Sequence, residues 1–297
     1  MNWADFGLGT WHPNGGMYEV VKGILRLAED NGVKFVSNAE VKKIKVNKKG
    51  IATGIIIDDS LIQSDIVLSG ADYHHTEQLL PINFRQYTEK YWDSKRFAPS
   101  SLLFYVGFNK KVENVSHHTL FFDVDFDAHA SEIYDTLEWP KAPLFYASFP
   151  SKTDKTFAPE GKESATFLIP IAIGLEDNDD LREKYFNMII ERLEKLTNNN
   201  LKDSIKFKKS YCINDFIDDY NSYKGNAYGL ANTLTQTAFL RPRIKSKKVK
   251  NLFFTGQLTV PGPGVPPSMI SGLNSSNLLI KTHNIDIKSS KSNYISS

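Results

Sequence analysis

Residues 251–279 read NLFFTGQLTVPGPGVPPSMISGLNSSNLL, with four prolines and three glycines between Gly256 and Pro267. The chemistry such a stretch offers belongs to the backbone more than to side chains. The apolar run that ends at Gly256 reads as a buried parallel strand entering a tight turn. Met269, Ile270 and Leu273 then begin the apolar face of a helix, with Ser268 as its cap. A strand, a loop and a helix N-terminus in that order bind anions and electron-rich groups, because unpaired N–H groups and the positive end of the helix dipole point outwards. Glycine allows close approach and proline sets the backbone in advance. A rigid connector that only turns the chain has the same composition, so both readings stand at this level.

Other reactive residue types form weaker patterns. His74-His75 and His117-His118 are adjacent pairs. On a strand they would point to opposite faces and on a helix they would diverge by about 100 degrees, so neither pair suits a two-ligand metal site. Asp123, Asp125 and Asp127 alternate as in a calcium loop, but Ala128 stands where the glycine of such a loop belongs and no glutamate closes it. No metal site is expected. No serine lies in a Gly-x-Ser-x-Gly elbow, so a hydrolase triad lacks support.

The elements that must position the loop fall into two patterns. Met17, Val20, Val21, Ile24, Leu25 and Ala28 recur at helical spacing, which predicts a helix over 16–30 ending at Gly32. Short β-rich segments follow: VKFVS, EVKKIKVN, ATGIIID and SDIVLSGA, separated by turn residues. Helix, strand and meander make an α/β pattern. In the middle, SLLFYVGFN, HTLFFDVD, PLFYASFP, ATFLIPIAI and SIKFKKSYC read as strands. An amphipathic helix over 180–197 places Leu181, Tyr185, Met188, Ile189, Leu193 and Leu196 on one face. Clustered strands with a segregated helix indicate an α+β domain that interrupts the α/β one. The end, 281–297, is polar and reads as a tail.

Composition sets outer limits. The 297 residues suffice for two domains, with 41% hydrophobic and 24% charged residues as in ordinary globular proteins. A net charge of +2 and no arginine-rich run argue against nucleic acid. The single cysteine, Cys212, excludes an internal disulfide and fits a reducing compartment. The N-terminus lacks the basic flank and apolar core of a signal peptide. The longest apolar windows, 101–108 and 165–175, fall well short of the roughly 20 residues that cross a bilayer.

The stretch Tyr223 to Gly272 resembles the C-terminal signature of the carotenoid (phytoene) desaturases, especially their bacterial form. Upstream, GTWHPNGGMYEVVKGILRLAEDNGVKF, NAEVKKIKV, SDIVLSGADYHHTEQLLP and PLFYASFPSKTDKTFAPEGKES resemble further segments of that family. The likeness runs from about Asp5 to Ile280. It implies an FAD-dependent oxidoreductase of the two-dinucleotide-binding-domain class shared with amine oxidases. The implied fold is α/β: an incomplete Rossmann-like FAD/NAD(P)-binding domain at 1–80 and 240–280, interrupted by an α+β substrate domain at 81–239. Members begin with a strand, a Gly-x-Gly-x-x-Gly turn and a helix that hold the FAD pyrophosphate. That N-terminal βαβ unit has no counterpart here, and about 200 residues of a full-length member precede the region of likeness. A fragment and a split protein, with the N-terminal half on another chain, both fit.

The resemblance also implies site residues. Gly256 and Gln257 would lie near the ribityl and phosphate region of FAD, and Gly264, Val265 and Pro266 would meet the isoalloxazine ring. Val41 would meet adenine through its backbone, and Gly70 and Ala71 would sit near the nucleotide. Asp72 and His74 are the nearest candidates for a base, although a capped, solvated loop explains them better, and no catalytic residue is assigned. The implied substrate is a long polyene such as phytoene, taken from a membrane surface by a cytoplasmic, peripherally associated protein. Phe104, Tyr105, Phe121, Phe122, Phe145 and Tyr146 could line a tunnel for it, though strand alternation makes at least half of them core. A related hydroxycarotenoid desaturase, isomerase or saturase is one alternative. A noncatalytic lipid-binding or partner-binding relic is another.

Overall fold

In a computed structural model, which describes residues 7–9 and 11–285, the chain alternates helices and strands. In order these are α1 (Tyr18–Asp30), β1 (Lys43–Val46), β2 (Ala52–Ile57), β3 (Ser60–Gln63) and β4 (Val67–Ser69). Then come α2 (Tyr73–Gln78), α3 (Glu89–Asp93), β5 (Ser100–Phe108), β6 (His118–Phe121), α4 (Phe126–Ser131), β7 (Phe145–Ser148) and β8 (Glu163–Ile171). The last are α5 (Asp179–Thr197), β9 (Ile205–Tyr211), α6 (Ile213–Tyr220), β10 (Leu252–Phe254) and α7 (Val265–His283). This is a mixed α/β chain that divides into two compact units.

One unit comprises the described residues up to 39 together with 101–171 and 175–212. Its sheet has the order β6-β7-β8-β5-β9. Strand β8 shows strict alternation, with Ala165, Phe167, Ile169 and Ile171 buried, which is the period of a strand with one face in a core. Helix α5 starts at Asn178, whose side chain accepts from Leu181 N at 2.9 Å, and carries Asp179 and Asp180 where the dipole favours acids. Its buried stripe is Tyr185, Phe186, Ile189, Ile190 and Leu193. The expected stripe is thus shifted: Phe186, with its ring 5.2 Å from that of Phe104, replaces the exposed Leu196. Asp125 caps α4 and Asp123 pairs with Arg192, so the alternating acids serve the fold.

Helix α1 forms where its periodicity predicts, but none of its residues is buried, and Val21, Ile24 and Leu27 are exposed. The segment leading into it is held instead: Gly15 N donates to Asp154 Oδ2 at 2.8 Å, and a Cβ on Gly16 would fall 2.8 Å from the Phe157 ring. Residues 33–37, read above as a strand, make none, because no neighbouring strand pairs with them.

The other unit comprises 40–100, 172–174 and the described residues from 213 onwards. It therefore takes in 81–100 and 213–239, while the described residues before 40 pack in the first unit; the sequence-based boundaries at 80 and 240 group these segments the other way. Antiparallel strands β1-β2-β3 form a meander, and β4 pairs in parallel with β10. Asn251 joins the two sheets: its side chain accepts from Ala52 N and donates to Ala52 O, both at 2.8 Å, and donates to Asp65 O at 2.6 Å. The core beneath holds Tyr73, Trp92, Leu230, Val249, Leu252 and Phe254. Tyr73 stacks on Phe254 with ring centroids 3.8 Å apart, and its hydroxyl donates to Arg243 O at 2.9 Å. Helix α7 runs to His283, three residues past the expected end of its domain; of the tail expected over 281–297, residues 286–297 lie outside those described.

Candidate functional site

Parallel strands end side by side, and their first unpaired residues define a place. Thr255 N donates to Ser69 O at 2.9 Å as the last ladder bond of β4 and β10. The chain then leaves through Gly70-Ala71 on one side and Gly256-Gln257 on the other. A Cβ on Gly256 would lie 3.8 Å from Gly70 O, and Gly256 has φ 106°, which side chains disfavour. The C-terminal edge of adjacent parallel strands is where open α/β sheets bind ligands.

The turn after β10 is tied to α7 by two fully buried serines one helical turn apart. Ser271 Oγ accepts from Gly256 N at 2.9 Å and bonds to the hydroxyls of Thr255 at 3.0 Å and Thr259 at 2.7 Å. Ser275 Oγ donates to Phe254 O at 2.8 Å. Their small side chains let the helix approach the strand end closely. Val260-Pro261 is cis, and Gly262 (φ 127°) and Gly264 (φ 119°) complete the turn. The cap of α7 is Gly264 rather than Ser268; Ser268 lies inside the helix, its amide already bonded to Gly264 O at 2.9 Å. With Pro266 and Pro267 in the first turn, only Val265 there brings an N–H to the terminus. The anion-binding capacity expected of this helix end is correspondingly thin.

Polar side chains behind the turn compensate. Asn226, almost fully buried, donates to Tyr223 O and accepts from Gly229 N, both at 2.9 Å, and from Gln257 Nε2 at 3.2 Å. Arg241 is also buried, at 3% exposure, and donates to Gln257 O at 3.2 Å, to Leu230 O at 3.0 Å and to Asn232 Oδ1 at 2.5 Å. Its Nε is buried with no acceptor, and burial holds its pKa below the usual arginine range.

The two base candidates are engaged structurally. Asp72 caps α2 by accepting from His75 N at 3.2 Å and also accepts from Tyr223 N at 3.3 Å. Burial raises its pKa, against the opposing pull of these hydrogen bonds. His74 Nε2 lies 2.9 Å from Glu89 Oε2 and 3.2 Å from Gln78 Nε2. In the first unit, His117 and His118 stack at 4.3 Å but bond separately, to the hydroxyls of Thr153 and Tyr146. Of the six aromatic candidates, Phe104, Phe121 and Phe145 are core, Tyr105 and Phe122 are exposed, and Tyr146 is half-buried.

Of the predicted cofactor residues, the structure brings Gly70 and Ala71 together with Gly256 and Gln257 at the strand ends. Gly264, Val265 and Pro266 start the helix whose Ser271 holds Gly256. Gly70, Ala71, Gly264, Val265 and Pro266 are all exposed. Val41 is half-buried just before β1, and no contact described above links it to the strand ends. Ser271, Ser275, Asn226 and Arg241 escaped the sequence reading. Only the serine pair carried a signal, a four-residue spacing of small polar residues on a helix face that faces a strand.

No family model matches the chain. Over 282 residues, 95% of the chain, it is 41% identical to a carotenoid 3,4-desaturase of Haloarcula japonica, of which it covers 57%. It is 30% identical to a zeta-carotene-forming phytoene desaturase of Myxococcus xanthus over 90% of the chain and 52% of that protein. A 4,4'-diapophytoene desaturase of Staphylococcus haemolyticus is 31% identical over 87% of the chain and 54% of its own length. The chain thus spans about half the length of the curated relatives it matches. Among solved structures, an oxidoreductase from Methanosarcina mazei superposes with a TM-score of 0.61 at 16% identity, covering 89% of the chain and 55% of that protein. That likeness shows a shared fold.

Proposed function

We propose, on the premise that this chain is a homologue of the phytoene and carotenoid desaturases, that it forms the flavin-side part of an FAD-dependent oxidoreductase desaturating phytoene or a related carotenoid. The observation that carries the reading is local. The stretch of most specific likeness, 223–272, is the one that folds into the strand-end turn with Gly256, Gly262 and Gly264 at positive φ.

The residues present suit the flavin end of FAD. Gly256 and Gly264 keep the turn free of side chains, and a buried arginine packed against Gly262, with an unsatisfied Nε, supplies positive charge behind them. FAD, when bound, takes the hydride removed from an allylic carbon of the polyene. The chain's own residues position and shield. Ser271, Thr255 and Thr259 hold the turn in one shape, and Asn226 fixes Gln257. Gly70, Ala71, Gly256 and Gln257 then lie on the nucleotide side, with Gly264, Val265 and Pro266 beside the ring and Val41 near adenine. The parallel pair β4-β10 becomes part of a Rossmann-like sheet completed by a Gly-x-Gly-x-x-Gly-bearing segment, on this protein or on another chain. The five-stranded sheet of the other unit serves the polyene. Among the described residues no helix is long and apolar enough to cross a membrane, and uptake of the polyene is proposed from a membrane surface.

The name of the Haloarcula relative favours a second reading, in which the double bond is introduced at the 3,4 position of a carotenoid rather than in phytoene. The test joins this chain to the N-terminal nucleotide-binding segment of that relative and records flavin absorbance. Bound FAD is expected in the joined protein and none in this chain alone. Phytoene and a more unsaturated carotenoid are then supplied separately, and the product absorbing at longer wavelength identifies the substrate. A joined, folded protein without flavin would refute the reading and leave a noncatalytic lipid-binding or partner-binding role.

A further inference from the structure

Arg241 stands out because it is a buried charge without a counter-charge. Its guanidinium is held by two backbone carbonyls and the Asn232 amide oxygen. Among the described residues no carboxylate lies within ion-pairing distance of it. A buried cation in that state carries a desolvation cost that a nearby anion would offset. Neutral acceptors orient the group and leave its field largely uncancelled in a medium of low polarity.

The place where that field falls is set by Gly262. A Cβ there would lie 3.0 Å from Arg241 Nη2 and 3.1 Å from Cζ. The guanidinium is therefore packed against the backbone of the turn, with the missing side chain of Gly262 as the space it fills. The same turn leads through Gly264 into a helix end where Pro266 and Pro267 bring no N–H groups. Positive potential at the turn comes from the arginine more than from helix amides.

We infer that Arg241 is a positioning residue that acts through the turn at Gly262 to stabilise negative charge on a reduced isoalloxazine ring, favouring reduced over oxidised flavin. This rests on the flavin reading above. Hydride transfer adds two electrons and one proton to the ring and leaves it anionic, so a fixed cation behind the turn favours the product state of the half-reaction.

The test uses the FAD-loaded joined protein and measures affinity for oxidised and for reduced FAD by titration, with the potential read spectroscopically against a redox dye. Arg241→Gln keeps hydrogen-bonding capacity and removes the charge. It is expected to lower the ratio of reduced to oxidised affinity about tenfold, which is about 30 mV for a two-electron couple. Arg241→Lys keeps the charge and should hold the ratio near that of the parent while weakening both affinities. Asn232→Asp leaves Arg241 in place but sets a carboxylate against Nη2, so it should lower the ratio as Arg241→Gln does even if that variant folds poorly. Equal weakening of both redox states in Arg241→Gln and Asn232→Asp would reduce Arg241 to a structural anchor and overturn the inference, leaving the flavin reading intact. Absence of FAD from the joined parent protein would overturn both.

Discussion

Ser271 Oγ lies 2.9 Å from the amide of Gly256 and within hydrogen-bond distance of two threonine hydroxyls, so one helix side chain holds the turn that follows β10. Replacing Ser271 by alanine leaves that half-buried amide without its acceptor. The expected cost is about 1–3 kcal/mol. Urea unfolding monitored by circular dichroism measures it, and an unchanged midpoint would show that the serine does not hold the turn.

Two glycines close in sequence should respond in opposite directions to the same change. Gly262→Ala forces a side chain into φ 127° and against the Arg241 guanidinium; the expected loss is about 1–3 kcal/mol. Gly272 sits within α7, where an added Cβ meets nothing within 4 Å. Gly272→Ala should therefore stabilise by about 0.5–1 kcal/mol through helix propensity. A pair of thermal melts checks both, and equal shifts of the same sign would contradict the assignment of Gly262 to a close approach.

Asp154 makes the first unit acid-sensitive. Hydrogen bonds from Thr156, led by its hydroxyl, and from the Gly15 amide lower its pKa from 3.8 to about 2. A carboxyl whose pKa is lower folded than unfolded contributes stability above the unfolded value and loses it as pH falls through the folded one. Asp154→Asn should be less stable than the parent at neutral pH. The gap should hold down to about pH 4 and close as pH falls from 3.8 towards 2. Acid titration of both proteins by circular dichroism follows the gap, and a gap constant to pH 2 would show that the charge contributes nothing.

Glu163 begins β8 with its side chain fully buried between Lys111 Nζ at 3.5 Å and Lys152 Nζ at 3.4 Å. Ser151 donates to it as well, and Val112 N donates at 3.4 Å. Glu163→Ala removes the carboxylate these donors share, leaving Lys152 its bond to Val112 O and Ser151 its bond to Ser164 O, at an expected cost of about 3 kcal/mol because the two lysine heads stay partly in water. Glu163→Gln keeps the shape and part of the bonding, so it should cost clearly less. Chemical denaturation ranks the two, and the reverse order would contradict the ion-pair reading.

Much of the fold was legible because it is periodic. The apolar run ATFLIPIAI and the amphipathic spacing in 180–197 each survive one or two misread residues, and both elements form where their patterns lie. Residues 33–37 are as apolar and β-branched as a strand, yet a strand also needs a neighbour to pair with, which no local pattern encodes. Helix α1 shows the same limit in reverse: its apolar stripe is plain and its covering is not. At the site, Gly256 and Gly264 announced themselves by residue type, and Gly70 only through the family resemblance. Ser271, Asn226 and Arg241 did not, because a lone polar residue gains meaning only from the groups folding brings to it, here from positions 12 to 16 residues away for Ser271 and up to 31 for Asn226. Ser268 looked like a cap because serine caps well; Gly264 took that role since two prolines at once started the helix after it.

The bond from Asn251 to Asp65 spans 186 residues of chain. During synthesis the meander β1-β2-β3 has all its partners nearby and can form early, whereas β4 waits for β10 to emerge, since distant pairings form late. Ser275, the outer tie between α7 and β10, emerges later still. Assembly of the turn is thus a late event on the ribosome, and a stop codon just ahead of Ser271 would release a chain in which every described strand is present and both serine ties to the strand end are missing.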